Sequence, residues 1–199
     1  MRQTTEIVCS ENLKLRLLTK QDAMPIFEAI STQRNYLGRW FVKHNEPISL
    51  AKTKELVSNY VDSKENPTDI IYLILVDDEF VGFIGLKNID YYNNKAELNC
   101  WMQEKYQYRN IMLEAGSRFL EHIFRTVKLN RLEIKTIQEN SKLIEFTRRL
   151  GFTQEGVEKQ GLRVAENKYL NLTTYSMLKS EYNTKMMFYR RSTKLKVDL

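Results

Sequence analysis

Two side chains in this sequence could move protons during a reaction: the carboxylate of Glu97 and the hydroxyl of Ser141. Glu97 lies in an alternating, strand-like segment on the face opposite Leu98. It could take a proton directly or through water, provided that burial makes it a sufficiently strong base. The alternative is a structural carboxylate that pairs with Lys95 or another neighbour. Ser141 could donate a proton and follows Asn140, a residue type that commonly caps a helix N-terminus.

Composition argues against several other chemistries. Cys9 and Cys100 are too few for a disulfide framework, and no CxxC or His-rich spacing predicts a metal site. His44 and His122 stand alone, which argues against a Ser-His-Asp triad. No apolar run approaches the roughly 20 residues of a membrane span, and the N-terminus lacks an apolar signal segment, so we expect a cytoplasmic protein.

The net charge of +6 favours anionic partners, such as a phosphorylated cofactor, an acidic peptide or nucleic acid. The alternative is a solvated, lysine-rich surface. No aromatic RNA-binding box is present, so nucleic acid remains the minor alternative.

The pattern of apolar residues predicts an α/β sandwich, a mixed sheet with helices on its faces. Ile70–Val76 is a short β-branched run, and Phe80–Leu86 is its hairpin partner after the turn at residues 77–79. The other predicted elements are an edge strand at Leu13–Leu17, a helix capped by Thr19 or Asp22 and ending near Ser31, a helix at Leu50–Ser63, a strand at Ala96–Met102, a helix at Ile111–Val127, a strand at Leu132–Ile137, a helix at Ser141–Leu150 stopped by Gly151, and two strands ending near Leu178.

Several segments, in this order, resemble the GNAT N-acetyltransferase superfamily and its RimJ/RimL-like branch. They are Leu15–Leu18 with Asp22-Ala23, Tyr36–Trp40, Lys95–Leu98 with Trp101, Leu129–Ile134, Glu139-Asn140, and Arg149–Gly156. The resemblance implies the GNAT fold, a mostly antiparallel central sheet flanked by helices, in one domain over residues 1–182. Residues 183–199 are then a basic C-terminal tail.

The resemblance also implies an acetyl-CoA-dependent N-acetyltransferase without a metal. In this superfamily a loop of pattern Q/R-x-x-G-x-G/A opens a helix, and its N–H groups and the helix dipole bind the pyrophosphate of coenzyme A. The matching residues here are Gln107, Tyr108, Arg109, Asn110, Ile111 and Met112. Asn110 replaces the central glycine and Tyr108 another, so the loop is degenerate, although Asn tolerates a positive φ better than most residues.

Further cofactor contacts implied by the resemblance are Trp101, Met102, Asn140 and Phe146, although such aromatic residues more often belong to a core. Asn140 could equally be a helix N-cap, and the two roles are compatible. Glu97 is the candidate base, and Ser141 or Thr147 the candidate acid for the departing thiolate. Related proteins carry Ser at the position of Leu143, or Tyr at that of Thr147.

The acceptor is expected to be a primary amine of a peptide or small molecule, bound near Tyr36–Phe41 and Arg163–Tyr169. A homodimer is a further expectation. Two alternatives remain open: a catalytically degenerate member that binds a ligand or partner, and a basic module associated with RNA or the ribosome.

Overall fold

The computed structural model describes residues 4–33, 49–62, 67–107 and 110–184. It contains one eight-stranded sheet with the order β1-β2-β3-β4-β5-β6-β8-β7. The strands are β1 Glu6–Val8, β2 Leu13–Leu17, β3 Ile70–Val76, β4 Glu79–Asp90, β5 Lys95–Met102, β6 Arg131–Ile137, β7 Thr153–Ala165 and β8 Lys168–Leu178. The helices are α1 Ala23–Thr32, α2 Leu50–Asp62, α3 Ile111–Glu121 and α4 Ser141–Leu150. The predicted mixed, mostly antiparallel sheet is confirmed.

The hairpin between β3 and β4 follows from its turn residues. Asp77 and Asp78 have φ values of 49° and 63°, the positive angles that both central residues of a type I′ turn require. The flanking strands pair from Ile70 with Leu86 to Val76 with Glu79. The predicted hairpin is therefore confirmed, and its turn follows the twist of the strands.

The prediction that Leu13–Leu17 forms the sheet edge is wrong. This segment pairs with β3 on one side and with β1 on the other, where Glu6 lies opposite Arg16. Leu15 in its centre is fully buried. The edge strand β1 has three residues, too few for an alternating pattern to stand out in the sequence.

The helices cover the two faces of the sheet. Successive side chains of β3 lie on opposite faces of the sheet. Tyr72 and Ile74 belong to the core cluster that contains Phe119 of α3. Leu73 and Leu75 instead pack with Ala23 of α1 and Val57 of α2, among other residues. Two apolar layers of this kind stabilise a central sheet that is buried on both faces.

The helix predicted over Ile111–Val127 is an α-helix only as far as Glu121. After Glu121 it continues as a π-helix over His122–Val127, and the N–H of Lys128 then donates to the carbonyl of Ile123 at 2.8 Å. The predicted apolar stripe is buried as expected, including Ala115 and Phe119. Within the described residues, no helix is long and apolar enough to cross a membrane.

Candidate active site

The candidate site lies where the two parallel strands of the sheet separate. β5 and β6 pair from Lys95–Arg131 to Glu97–Glu133 and no further, although β5 continues to Met102 and β6 to Ile137. The carboxyl ends of parallel strands meet at one edge of a sheet, and a crevice there is a common ligand site. The helices α3 and α4 follow these two strands, so both helix N-termini lie at this edge.

Asn110 occupies the position just before α3 in a left-handed conformation. Its φ is 56° and its ψ is 3°, which Asn tolerates better than other residues with a side chain. Its carbonyl accepts from the N–H of Glu114 at 3.0 Å, and its side-chain Oδ1 accepts from Nη1 of Arg149 at 3.2 Å. The loop predicted from Gln107 to Met112 thus begins a helix as expected. Its residues Tyr108 and Arg109 lie outside the described part of the chain.

Gln107 links the end of β5 to α4. Its Nε2 donates to the carbonyl of Met102 at 3.3 Å, and its Oε1 accepts from Nζ of Lys142 at 2.6 Å. The Met102 side chain itself is buried in the core. Gln107 therefore holds the start of the loop against both neighbouring elements.

The start of α4 carries the predicted cap and the predicted hydroxyl. Asn140 Oδ1 accepts from the N–H of Leu143 at 3.2 Å, which confirms its N-cap role. Ser141 follows as the exposed first helical residue. Thr147 is fully buried, and its hydroxyl donates to the carbonyl of Leu143 at 2.7 Å. The Thr147 hydroxyl is therefore bonded within its own helix, whereas Ser141 lies at the open end of the crevice.

The remaining predicted cofactor residues of this region pack between the helices. A Cβ on Gly116 of α3 would lie 2.9 Å from two ring carbons of Phe146, so the glycine is what allows the two helices to come so close. Phe146, Ile111 and Met112 are partly buried against the main core.

Glu97 lies at the closed end of the crevice, opposite Glu133 in register. Its side chain is 13% exposed, and its Oε1 lies 2.9 Å from Nζ of Lys87. Nδ2 of Asn88 approaches its other oxygen at 3.4 Å. The expectation that a neighbouring lysine pairs with Glu97 is confirmed, but the partner is Lys87 on β4 and not Lys95.

Trp101 lies on the same face of β5 as Glu97, beside α1. Its ring centroid lies 6.2 Å from that of Phe80 and 6.1 Å from that of Phe83, and Ala29 packs in the same cluster. Within the described part of the chain, its Nε1 is the one buried side-chain nitrogen or oxygen without a hydrogen-bond partner. Trp101 therefore belongs to the packing of α1 on the sheet, the core role that aromatic residues commonly have.

Lys142 and Arg149 were missed by the sequence prediction. A signal was present, because residues at i, i+4 and i+7 share one helix face, and Lys142, Phe146 and Arg149 have this spacing. Of the expected acceptor segments, Tyr36–Phe41 lies outside the described residues. Arg163 and Tyr169 pair directly across the β7–β8 hairpin, with Tyr169 exposed. In the described ranges no group of three or more His, Cys, Asp or Glu side chains could hold a metal ion.

Comparison with known proteins places this geometry among acetyltransferases. The family model described as "Acetyltransferase (GNAT) domain" matches residues 12–153. YdaF of Bacillus subtilis (strain 168), which is named as a ribosomal N-acetyltransferase, is 29% identical over 87% of this chain and 94% of its own length. The ribosomal-protein-serine acetyltransferase of Escherichia coli (strain K12) is 26% identical over 79% of this chain and 88% of its own. A solved structure of RimL, a ribosomal alpha-N-protein acetyltransferase in complex with coenzyme A, has a TM-score of 0.82 at 22% identity and covers 87% of this chain and 97% of its own.

Proposed function

The chain belongs to the GNAT acetyltransferase family, and we propose that it is an N-acetyltransferase that moves an acetyl group from acetyl-CoA to a primary amine. The observation that carries the proposal is the separation of β5 from β6 beyond Glu97 and Glu133, in front of two helix N-termini. In that crevice β5 and β6 are not paired with each other, and two helix N-termini supply partial positive charge. Such a site suits a long ligand with an anionic end.

The residues present fit coenzyme A at this place. The left-handed Asn110 directly precedes α3, and successive backbone N–H groups at such a helix start bind phosphate groups. Lys142 and Arg149 add two cations beside the loop. Asn140 caps α4 next to the crevice, where a thin pantetheine arm would pass between the separated strands.

Acetyl-CoA would supply a thioester as the acetyl donor. The protein then has to orient the amine, polarise the carbonyl with backbone N–H groups, and handle two protons. We propose Glu97 as the base, acting directly or through water, and Ser141 as the acid at the open end of α4. We propose Ser141 in preference to Thr147 for that second role because the Thr147 hydroxyl donates to the carbonyl of Leu143.

The proposed acceptor is the α-amine of a protein. Two relatives that align over most of their length are named for acting on ribosomal proteins, whereas spermidine N(1)-acetyltransferase of Escherichia coli is 22% identical. A protein acceptor and a basic chain are consistent with action in the cytoplasm on ribosomal proteins. We propose that the acetyltransferase domain spans residues 1–182, since Tyr182 is buried and stacks on Phe124 at 5.1 Å.

The test is calorimetric titration of acetyl-CoA, followed by a thiol-release assay with acceptors. The acceptors are peptides with the N-terminal sequences of ribosomal proteins, the same peptides with blocked N-termini, and spermidine. We expect micromolar binding and turnover that needs a free peptide α-amine. Absence of acetyl-CoA binding by both the wild-type protein and the Asn110→Gly variant would contradict the proposal.

A second candidate function, coenzyme binding without turnover, is favoured by one observation. The position of Thr147, where many relatives of this fold have Tyr, holds a hydroxyl that is bonded inside α4. Acetyl-CoA binding without thiol release in the presence of any of these acceptors would favour this candidate.

A further inference from the structure

We propose that Lys142 and Arg149 of α4 are positioning residues that hold Gln107 and Asn110 of the coenzyme loop in place for coenzyme binding. This inference rests on the proposed function. Lys142 contacts Gln107 at the start of the loop, and Arg149 contacts Asn110 directly before α3. We call these two contacts the α4 clamp.

The clamp is built on one face of α4. Lys142, Phe146 and Arg149 share this face because of their i, i+4, i+7 spacing. Phe146 lies between the two cations and packs against Gly116 of α3. The close approach of the helices thus brings a lysine and an arginine within hydrogen-bonding distance of a loop that is distant in sequence.

The clamp matters because Asn110 has a backbone conformation that favours glycine. Glycine adopts a positive φ at no steric cost, whereas Asn at φ 56° carries a small penalty. A side chain, unlike glycine, can however be held from outside. Arg149 bonds to the Oδ1 that a glycine would not have, so the substitution that strains the backbone also provides the attachment point.

The contact also places positive charge at the N-terminus of α3. Arg149 is 47% exposed and lies 3.9 Å from Glu145, so its pairing contributes little to the stability of the free protein. Its effect should therefore be seen in ligand affinity. A ligand phosphate at this helix start would lie beside the guanidinium, whose other N–H groups can donate to it while Nη1 stays on Asn110.

The experiment is a double-mutant cycle on the Kd of acetyl-CoA, measured by calorimetry at fixed salt. It uses the wild type, Arg149→Ala, Asn110→Gly and the double variant, with Arg148→Ala as the matched control. Arg148 has the same charge and is exposed on the same helix, one position earlier. We expect Arg149→Ala to raise the Kd about tenfold and Arg148→Ala to change it less than about twofold. In the Asn110→Gly background, Arg149→Ala should cost less than about threefold, because its hydrogen-bond partner is gone.

The outcomes separate the inference from the proposed function. Absence of acetyl-CoA binding by the wild type would overturn both. Wild-type binding with no loss in Arg149→Ala, or with an equal loss in Arg148→Ala, would overturn the clamp alone. A tenfold loss that persists in the Asn110→Gly background would also overturn it, since Arg149 would then act only as a phosphate-binding cation. Unchanged melting temperatures of the unliganded variants show that folding is intact, and Lys142→Ala with Gln107→Ala tests the other end by the same cycle.

Discussion

Replacing Glu97 by Gln should separate the catalytic role of this carboxylate from its structural role. The side chain is 13% exposed and its oxygen lies 2.9 Å from Nζ of Lys87, which is itself 42% exposed. A pair with one exposed partner contributes about 1 kcal/mol or less, and glutamine keeps an oxygen that can accept from the ammonium group. In a chain of this length such a loss lowers the melting temperature by about 3 °C. The folded fraction at 25 °C therefore stays essentially complete.

The effect on rate should be far larger if Glu97 takes a proton from the amine. Loss of a positioned general base lowers kcat by about 100-fold or more. The assay is thiol release from acetyl-CoA with the best peptide acceptor, together with urea unfolding of each variant. Since stability changes little, a 100-fold fall in kcat cannot come from unfolding.

Glu133→Gln provides the matched control. Glu133 lies directly opposite Glu97 in the β5–β6 register and pairs with Nε of Arg131 at 2.8 Å. Its loss should cost similar stability without the loss of rate. If Glu97→Gln keeps kcat within about fivefold of the wild type, or if Glu133→Gln loses as much, the assignment of Glu97 as the base is wrong.

Three further results are expected. Ser141→Ala should lower kcat about tenfold or more while Thr147→Val stays within about twofold, because the Thr147 hydroxyl is bonded to its own helix; equal losses in the thiol-release assay would contradict this assignment. Burial alone would raise the pKa of Asp22, but hydrogen bonds from Arg16 and Thr19 hold it below its ordinary value. Asp22→Asn should therefore lower the free energy of unfolding by about 2 kcal/mol at pH 7, measured by urea unfolding. That difference is present above the ordinary carboxyl pKa of about 4 and should disappear as pH falls through the lowered value. Trp101→Phe should change stability by less than about 1 kcal/mol, because no described residue accepts a hydrogen bond from the buried indole N–H that it removes; a loss above about 2 kcal/mol in urea unfolding would contradict this expectation.

The sequence predicted those elements whose local pattern is strong. The helix Ser141–Leu150 and its stop at Gly151 were predicted with the bounds that the structure shows, because an Asn cap, an amphipathic stripe and a glycine at φ 92° act locally. The strand β1 was missed because three residues form an edge only once β2 is there to pair with. The π-helix after Glu121 was missed because its side-chain pattern is that of an α-helix.

Contacts between distant segments could not be predicted in the same way. The partner of Glu97 depends on the register of β4 against β5, and an irregularity between Lys87 and Asp90 shifts that register. This irregularity places Lys87 opposite Glu97, where the register of the Asp90–Lys95 pair would place Asn88. The contacts of Lys142 and Arg149 depend likewise on how closely α3 and α4 approach, which Gly116 permits but no local pattern specifies.

In the candidate site, residues on either side of positions 108–109 are hydrogen-bonded to α4, Gln107 through Lys142 and Asn110 through Arg149. Asn110 has a left-handed backbone directly before α3, although it is not a glycine. A glycine would adopt this conformation without help from other residues. Here the side chain of Asn110 is bonded instead to Arg149 of α4, a helix that begins at Ser141, 31 residues after Asn110. The loop motif can therefore depart from glycine at Asn110 and still have a left-handed residue before α3. It follows that changes to the packing of α4 on α3 should affect coenzyme affinity even where they do not touch the loop itself.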